Sequence, residues 1–277
     1  MGEEQISHWQ CAGCAVEFPP GAQPSGLCPI CADERQYIPG GTQRWVRTEE
    51  LAAAGHQLTI TSLEPGMHAI ASPEIGIGQS ALLVETTGGN LLFDVPGLIT
   101  ADIIDWLKSR GKLAAIAASH PHMYGVQQQY SQALGNVPIF VAEKDARWVQ
   151  HSSGAITIWS DPFDVLPGIR LMQLGGHFPG STVAIWEAGA DGRGVLLAGD
   201  AIFPVADGNV TFLRSYPNRI PLSAAVVRRM SKALEPVEFD RLYNNFASSI
   251  RSDAHRVVQF SADRYARWVS GEFDDLT

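Results

Sequence analysis

From residue 56 onward, short apolar runs alternate with glycine- and proline-rich breaks. Leu58–Leu63, Met67–Ala71, Ser80–Thr86 and Leu91–Val95 have β-prone composition, separated by Pro65-Gly66, Gly76-Ile77-Gly78 and Gly88-Gly89-Asn90. This pattern predicts hairpins and meanders. A change of period follows: Thr100 caps a helix running to Lys108, with Ile103, Ile104 and Leu107 on one face and Gly111 closing it. Leu113–Ala118 is a buried strand that delivers the loop Ser119-His120-Pro121-His122-Met123-Tyr124-Gly125. Further on, the pattern predicts helices over Val126–Leu134, Glu143–Gln150, Leu222–Leu234 and Ser248–Val269. It predicts strands over Pro138–Ala142, Ala155–Trp159, Ile169–Leu174, Thr182–Glu187, Val195–Ala198 and Arg241–Phe246. Strand clusters alternating with helices in two halves predict an α+β fold, two sheets sandwiched between helix layers.

The first 40 residues follow a different rule. Cys11-Ala12-Gly13-Cys14 and Cys28-Pro29-Ile30-Cys31 stand 13 residues apart and contain all four cysteines of the chain. Two Cys-x-x-Cys turns at this separation present four thiolates to one tetrahedral ion, zinc first and rubredoxin-type iron second, with disulfides as the alternative. Four thiolates leave no open coordination position, so this knuckle is expected to be structural or to dock a protein partner. A segment this short does not build its own core, and a metal substitutes for one. Pro39-Gly40-Gly41 is the expected linker, dividing a knuckle over 1–40 from a larger domain over 41–277.

Composition narrows the partners. In 277 residues the apolar fraction is 45%, enough for a substantial core, while the net charge of −9 opposes binding to nucleic acid. The acidic Met1-Gly2-Glu3-Glu4-Gln5 start is no secretory signal, and no stretch approaches the ~18 apolar residues of a membrane span. With its thiols reserved for metal, the protein is expected to be cytoplasmic and to act on a small molecule without a membrane.

His120 and His122 sit two apart, on one side of an extended segment. Three more strand ends carry candidate ligands or supports: His177 in Gly175-Gly176-His177-Phe178-Pro179-Gly180-Ser181, Asp200 after Val195–Gly199, and Asp94 after Leu91-Leu92-Phe93. Three imidazoles suit a catalytic zinc that keeps a water position and a carboxylate adds charge compensation, although the same donors accept iron or manganese.

These pieces, LLFDVPG, SHPH, GGHFPGS and LLAGD, resemble the metallo-β-lactamase superfamily in order and spacing over roughly residues 56–265. The resemblance implies a four-layer αββα sandwich. It makes His120, His122 and His177 the ligands of a first metal, Asp200 the carboxylate that bridges two metals, and Asp94 a brace for the metal-binding loop. The family loop His-x-His-x-Asp-His departs here at Tyr124 and Gly125, and the final family histidine is replaced within Leu242-Tyr243-Asn244-Asn245-Phe246. Losing all three second-site ligands implies one metal in this centre. Asp200 then becomes its fourth ligand or the base that holds its water. Tyr124 either donates to an oxyanion or fills the vacated space. Phe203, Phe212 and Tyr216 fall where the family lines its cleft. His8 is expected near the knuckle, and His56, His68, His151 and His255 outside the centre.

Three functions follow from this reading. The first is a metal-dependent hydrolase of a small ester, thioester, lactone or amide. The second is a mononuclear iron oxidoreductase similar to persulfide dioxygenases, using His120, His177 and Asp200. The third is a binding protein that has lost catalysis.

Overall fold

A computed structural model describes residues 7–246 and 248–277; the acidic Met1–Gln5 segment lies outside the described residues. The chain begins with β1 (Trp9–Cys11), which pairs antiparallel with β2 (Trp45–Arg47), so the first β-ribbon spans the Pro39–Gly41 turn. Two sheets follow. One contains β3 (Thr59–Glu64), β4 (Met67–Ala71), β5 (Ser80–Val84), β6 (Asn90–Phe93), β7 (Leu113–Ala117), β8 (Ile139–Ala142) and β9 (Ile156–Trp159) in sequence order. Its first four strands are antiparallel neighbours, and the pairings from β6 to β9 are parallel. The other sheet begins with β10 (Phe163–Leu166), β11 (Ile169–Gln173), β12 (Thr182–Trp186) and β13 (Val195–Leu197). Two short ribbons follow, β14 (Phe203–Pro204) with β15 (Val210–Thr211) and β16 (Leu213–Ser215) with β17 (Ile220–Pro221). The second sheet is then completed by β18 (Arg241–Tyr243), parallel to β13, and β19 (Ser249–Ile250).

Three apolar layers hold this α+β sandwich together. Between the sheets pack Leu82, Leu91, Phe93, Leu171, Trp186 and Leu197. On the outer face of the second sheet, Leu196 and Leu242 meet Val227, Met230 and Val258 of helices Ala224–Leu234 and Ala254–Val269. On the outer face of the first sheet, Leu83, Leu92 and Ile116 meet Ile103 and Leu107 of helix Ala101–Ser109, together with Val16 and Ile30 of the knuckle. Strands covered on both faces are nearly continuously apolar, which is why β5, β6 and β12 show no alternation after their first residues, Ser80, Asn90 and Thr182. The Thr100 cap forms as expected, its hydroxyl accepting from the Ile103 amide.

Two helices differ from the sequence pattern. Glu143–Trp148 is a 3₁₀ segment. The C-terminal helix starts at Ala254, because Asn244 Oδ1 accepts from the amides of Phe246 and Ser248, at 3.0 and 2.9 Å, and turns Ser249–Ile250 back onto β18. Among the described residues, no helix is long and apolar enough to cross a membrane.

The knuckle is fastened to the sandwich by buried polar contacts. Gln10 Nε2 donates to the Gly97 carbonyl at 2.8 Å, and the Glu17 amide to the Gly125 carbonyl at 3.0 Å. Glu17 is 3% exposed, its carboxyl accepts from the Gln128 amide, and burial pushes its pKa up to about 8. The folded chain therefore keeps this proton while the unfolded chain releases it near 4.5. Stability from this group is full below about pH 4.5 and is lost as pH rises through about 8, at about 1.4 kcal/mol per unit. Glu17→Gln is expected to remove that slope. Urea unfolding at pH 5 and pH 8 should show the variant gaining a few kcal/mol on the wild type at the higher pH. Parallel pH dependences would refute the assignment.

Candidate metal centre

The loop bearing His120 and His122 leaves the end of β7, where Asp94, at the end of neighbouring β6, braces it. Asp94 Oδ1 accepts from the Ser119 amide at 2.6 Å and Oδ2 from the Ser119 hydroxyl at 3.1 Å. The same hydroxyl lies 2.9 Å from His120 Nδ1, which leaves His120 Nε2 to face inward. Across the sandwich, the Thr182 amide donates to the Ser119 carbonyl at 2.7 Å and locks the loop to the second sheet. His177 arrives from the β11–β12 turn with Nδ1 3.3 Å from the Leu213 carbonyl. Asp200 arrives from the end of β13, immediately after Gly199. Gly199 has φ +51, and any Cβ there would overlap the Ser119 side chain, so the close approach of the two loops requires glycine.

The four side chains converge. Each of His120, His122, His177 and Asp200 offers one ligand atom, and these atoms lie within 4.8 Å of one another. His122 Nδ1 is 3.3 Å from His177 Nε2, and Asp200 Oδ2 is 3.6 Å from His120 Nε2 and 3.9 Å from His177 Nε2. Tetrahedral donors about 2.0–2.1 Å from one ion stand about 3.4 Å apart, so the spacing fits a metal. Buried His120 Nε2 and Asp200 Oδ1 have no hydrogen-bond partner among the described residues, a costly state that an ion and its water would relieve. Burial holds His120 and His122 well below the usual imidazole range and His177 down at about 3, so all three stay neutral as ligands must. Burial, with the Asp94 charge second, pushes Asp200 up to about 8, and a cation at this point reverses that pressure.

The second cluster is equally regular. All four cysteines are buried and free, with Sγ–Sγ separations of 3.7 Å for Cys11–Cys31 and 3.8 Å for Cys14–Cys28. Thiolates about 2.3 Å from a tetrahedral ion stand about 3.8 Å apart, whereas a disulfide requires about 2.05 Å. The Gln43 amide Nε2 points at Cys11 Sγ from 3.3 Å.

Tyr124 is not brought to the centre. It is buried in the core of the first outer layer, its hydroxyl donates to the Asp145 carbonyl at 3.2 Å, and burial raises its pKa further. Gly125 has φ +50, and a Cβ there would strike the Val95 carbonyl, so this backbone excludes any side chain at the position. Asn244 and Asn245 are buried, the former spending Oδ1 on its own turn. His8 bonds Glu49, His56 bonds Glu74, His68 pairs with Glu85, and His255 faces the Leu234 carbonyl, all away from the cluster.

A cavity of about 450 Å³ opens over His122, His177 and Asp200. Phe203 and Tyr216 line it as expected, whereas Phe212 is core, packed against Tyr265. Its opposite wall is one that motif reading missed: Arg35, Gln36 and Tyr37, from just past the last cysteine. Nothing local to an Asp-Glu-Arg-Gln-Tyr segment signals this placement; the contact with His177 spans 142 residues.

Sandwich and site together define a metallo-β-lactamase-fold protein with two clusters able to coordinate metal. The chain has the metallo-β-lactamase fold, here with an N-terminal four-cysteine cluster. It is 38% identical over 271 residues to a Bacillus subtilis (strain 168) protein named as uncharacterized protein YmaE, covering 96% of this chain and 98% of that one. No protein-family model matches the chain. Among solved structures it is similar to VMB-1, with a TM-score of 0.57 at 16% identity, covering 76% of this chain and 99% of that one. It is also similar to a metallo-β-lactamase from Hirschia baltica, with a TM-score of 0.53 at 14% identity, covering 76% and 97%. At such identities the likeness is one of fold.

Proposed function

We propose that His120, His122 and His177 hold a single metal ion, zinc first, with Asp200 beside its open position, and that the protein hydrolyses a small ester, thioester, lactone or amide. The observation that carries this reading is the convergence of four donors at the floor of an open cavity, three of them lining it. A zinc held there supplies a bound water of pKa near ~7 and polarises the substrate carbonyl. Asp200 is the residue we assign to hold that water and accept its proton, since its Oδ1 is buried without a protein partner. The Tyr216 hydroxyl donates to the Asp200 carbonyl at 3.0 Å and keeps this loop in place. Tyr124 we assign to packing, given its bond to Asp145. The four-cysteine cluster holds a second, structural ion.

Zinc-loaded protein is expected to turn over at least one member of a panel of p-nitrophenyl esters, acyl thioesters, γ-lactones and anilides. A chelator should remove this activity and added zinc restore it. Tyr124→Phe should keep kcat within about threefold, as a group outside the reacting atoms does. Silence across the panel from a loaded centre would favour a non-catalytic binding protein.

A further inference from the structure

The cavity wall contributed by the knuckle contains a cation that the hydrolytic reading does not use. Arg35 is 5% exposed, yet it lines the same cavity as His122, His177 and Asp200. Two of its three nitrogens are spent on protein: Nε donates to the His177 carbonyl at 2.6 Å and Nη1 to Asp33 Oδ1 at 2.7 Å. Nη2 has no hydrogen-bond partner among the described residues. The guanidinium lies 4.4 Å over the Phe178 ring, and the Ser215 hydroxyl holds the Arg35 carbonyl at 2.9 Å. The fork is thus pinned on one edge and one face, with its remaining donor unspent.

Nη2 is not among the buried atoms left without a partner, so it is open to solvent and free to receive a ligand, and a planar fork of fixed orientation matches a carboxylate or phosphate. Among the described residues Arg35 is also the only Lys or Arg lining the cavity, whose lining includes Ile77, Phe203 and Phe246. The Asp33 carboxylate balances its charge, while three neutral imidazoles and one carboxylate around a divalent ion leave one positive charge at the centre. One anionic group on the ligand restores neutrality.

We propose that Arg35 is a specificity-determining residue that receives a carboxylate or similar anionic group of the substrate, making the substrates small acyl compounds that carry an acid group. This rests on the metal-centre reading given above. The knuckle then has a role in the site itself: Cys31 and its metal set the position of a binding residue four positions on.

The test uses metal-loaded, full-length protein and two ligands with the same metal-binding head, succinic monohydroxamic acid and butanohydroxamic acid, which differ by a carboxylate in place of a methyl group. Calorimetry on wild type should show the acid binding about 10- to 100-fold tighter, the range of one charge-assisted bond. Arg35→Gln should lose this preference while binding butanohydroxamate within about threefold of wild type, and Arg35→Lys should restore part of it. A merely structural role for Arg35 would weaken both ligands alike, so a preference that survives in Arg35→Gln, or is absent in wild type, overturns the proposal. Failure of both ligands to bind wild type would overturn the metal-centre reading and this proposal with it. Butanohydroxamate binding with no preference overturns Arg35 alone.

Discussion

Protein carrying His122→Ala is expected to hold one metal ion per chain where the wild type holds two, and to lose hydrolysis by more than about 10³-fold. The magnitude follows from what the ion supplies: a single oxyanion donor is already worth about 10²–10³-fold, and a polarising metal with its activated water is worth more. His122 is a sharp choice because its Nδ1 stands 3.3 Å from His177 Nε2, two nitrogens that repel unless a proton or a metal lies between them. Among the described residues, alanine removes one of the four donors that converge in this buried cluster. Metal content by plasma emission after dialysis, beside turnover on the best panel substrate, gives the readout. His56→Ala, a surface change at the Glu74 pair, controls for substitution as such. Full turnover by His122→Ala would sink the catalytic assignment. Three ions in wild type would show a second position beside the first, rebuilt from buried polar groups such as Asn245.

Whatever depends on local pattern was legible in the chain itself. The capped helix after Thr100 and the strand ends bearing Asp94, His120, His177 and Asp200 follow from period, turn residues and the ordering of motifs. Each Cys-x-x-Cys pair is equally local, closing its own turn through the Ala15 amide to the Cys11 carbonyl and the Ala32 amide to the Cys28 carbonyl. Features set by tertiary contact were not. Ser248–Ile250 continues a helical pattern on paper but is claimed by an edge of the second sheet through the Asn244 turn. Tyr124 occupies a ligand position in the motif and invites a catalytic reading, yet its ring turns into the core. Arg35 is the strongest case, because its contact to His177 exists only once the knuckle has docked on the sandwich. The Gly125 backbone links these points. Its left-handed conformation leaves no place for a side chain, and its carbonyl receives the Glu17 amide of the knuckle. The departure from the loop that the resemblance led one to expect and the docking of the knuckle thus meet at one residue.

That junction gives the last prediction. The double substitution Cys11→Ser, Cys14→Ser is expected to reduce metal content from two ions per chain to one while leaving the histidine cluster loaded, since the two sets of ligands come from separate elements. Structural zinc contributes about 10–16 kcal/mol of binding free energy in isolated fingers, and the cysteine turns within residues 9–47 would be held together by such an ion. Val16 and Ile30 belong to the same apolar layer as Ile70, Tyr124 and Val126, so a loosened knuckle exposes core of the sandwich as well. Thermal unfolding should therefore start roughly 10 °C or more below wild type, a loss of several kcal/mol for a domain of this size. Because Arg35 and Tyr37 follow directly from Cys31, the variant should also raise KM more than it lowers kcat, the signature of a damaged binding wall above an intact metal centre. Loss of both metals together would show instead that the knuckle is needed to form the histidine site, and an unchanged count of two would mean that these cysteines hold no ion.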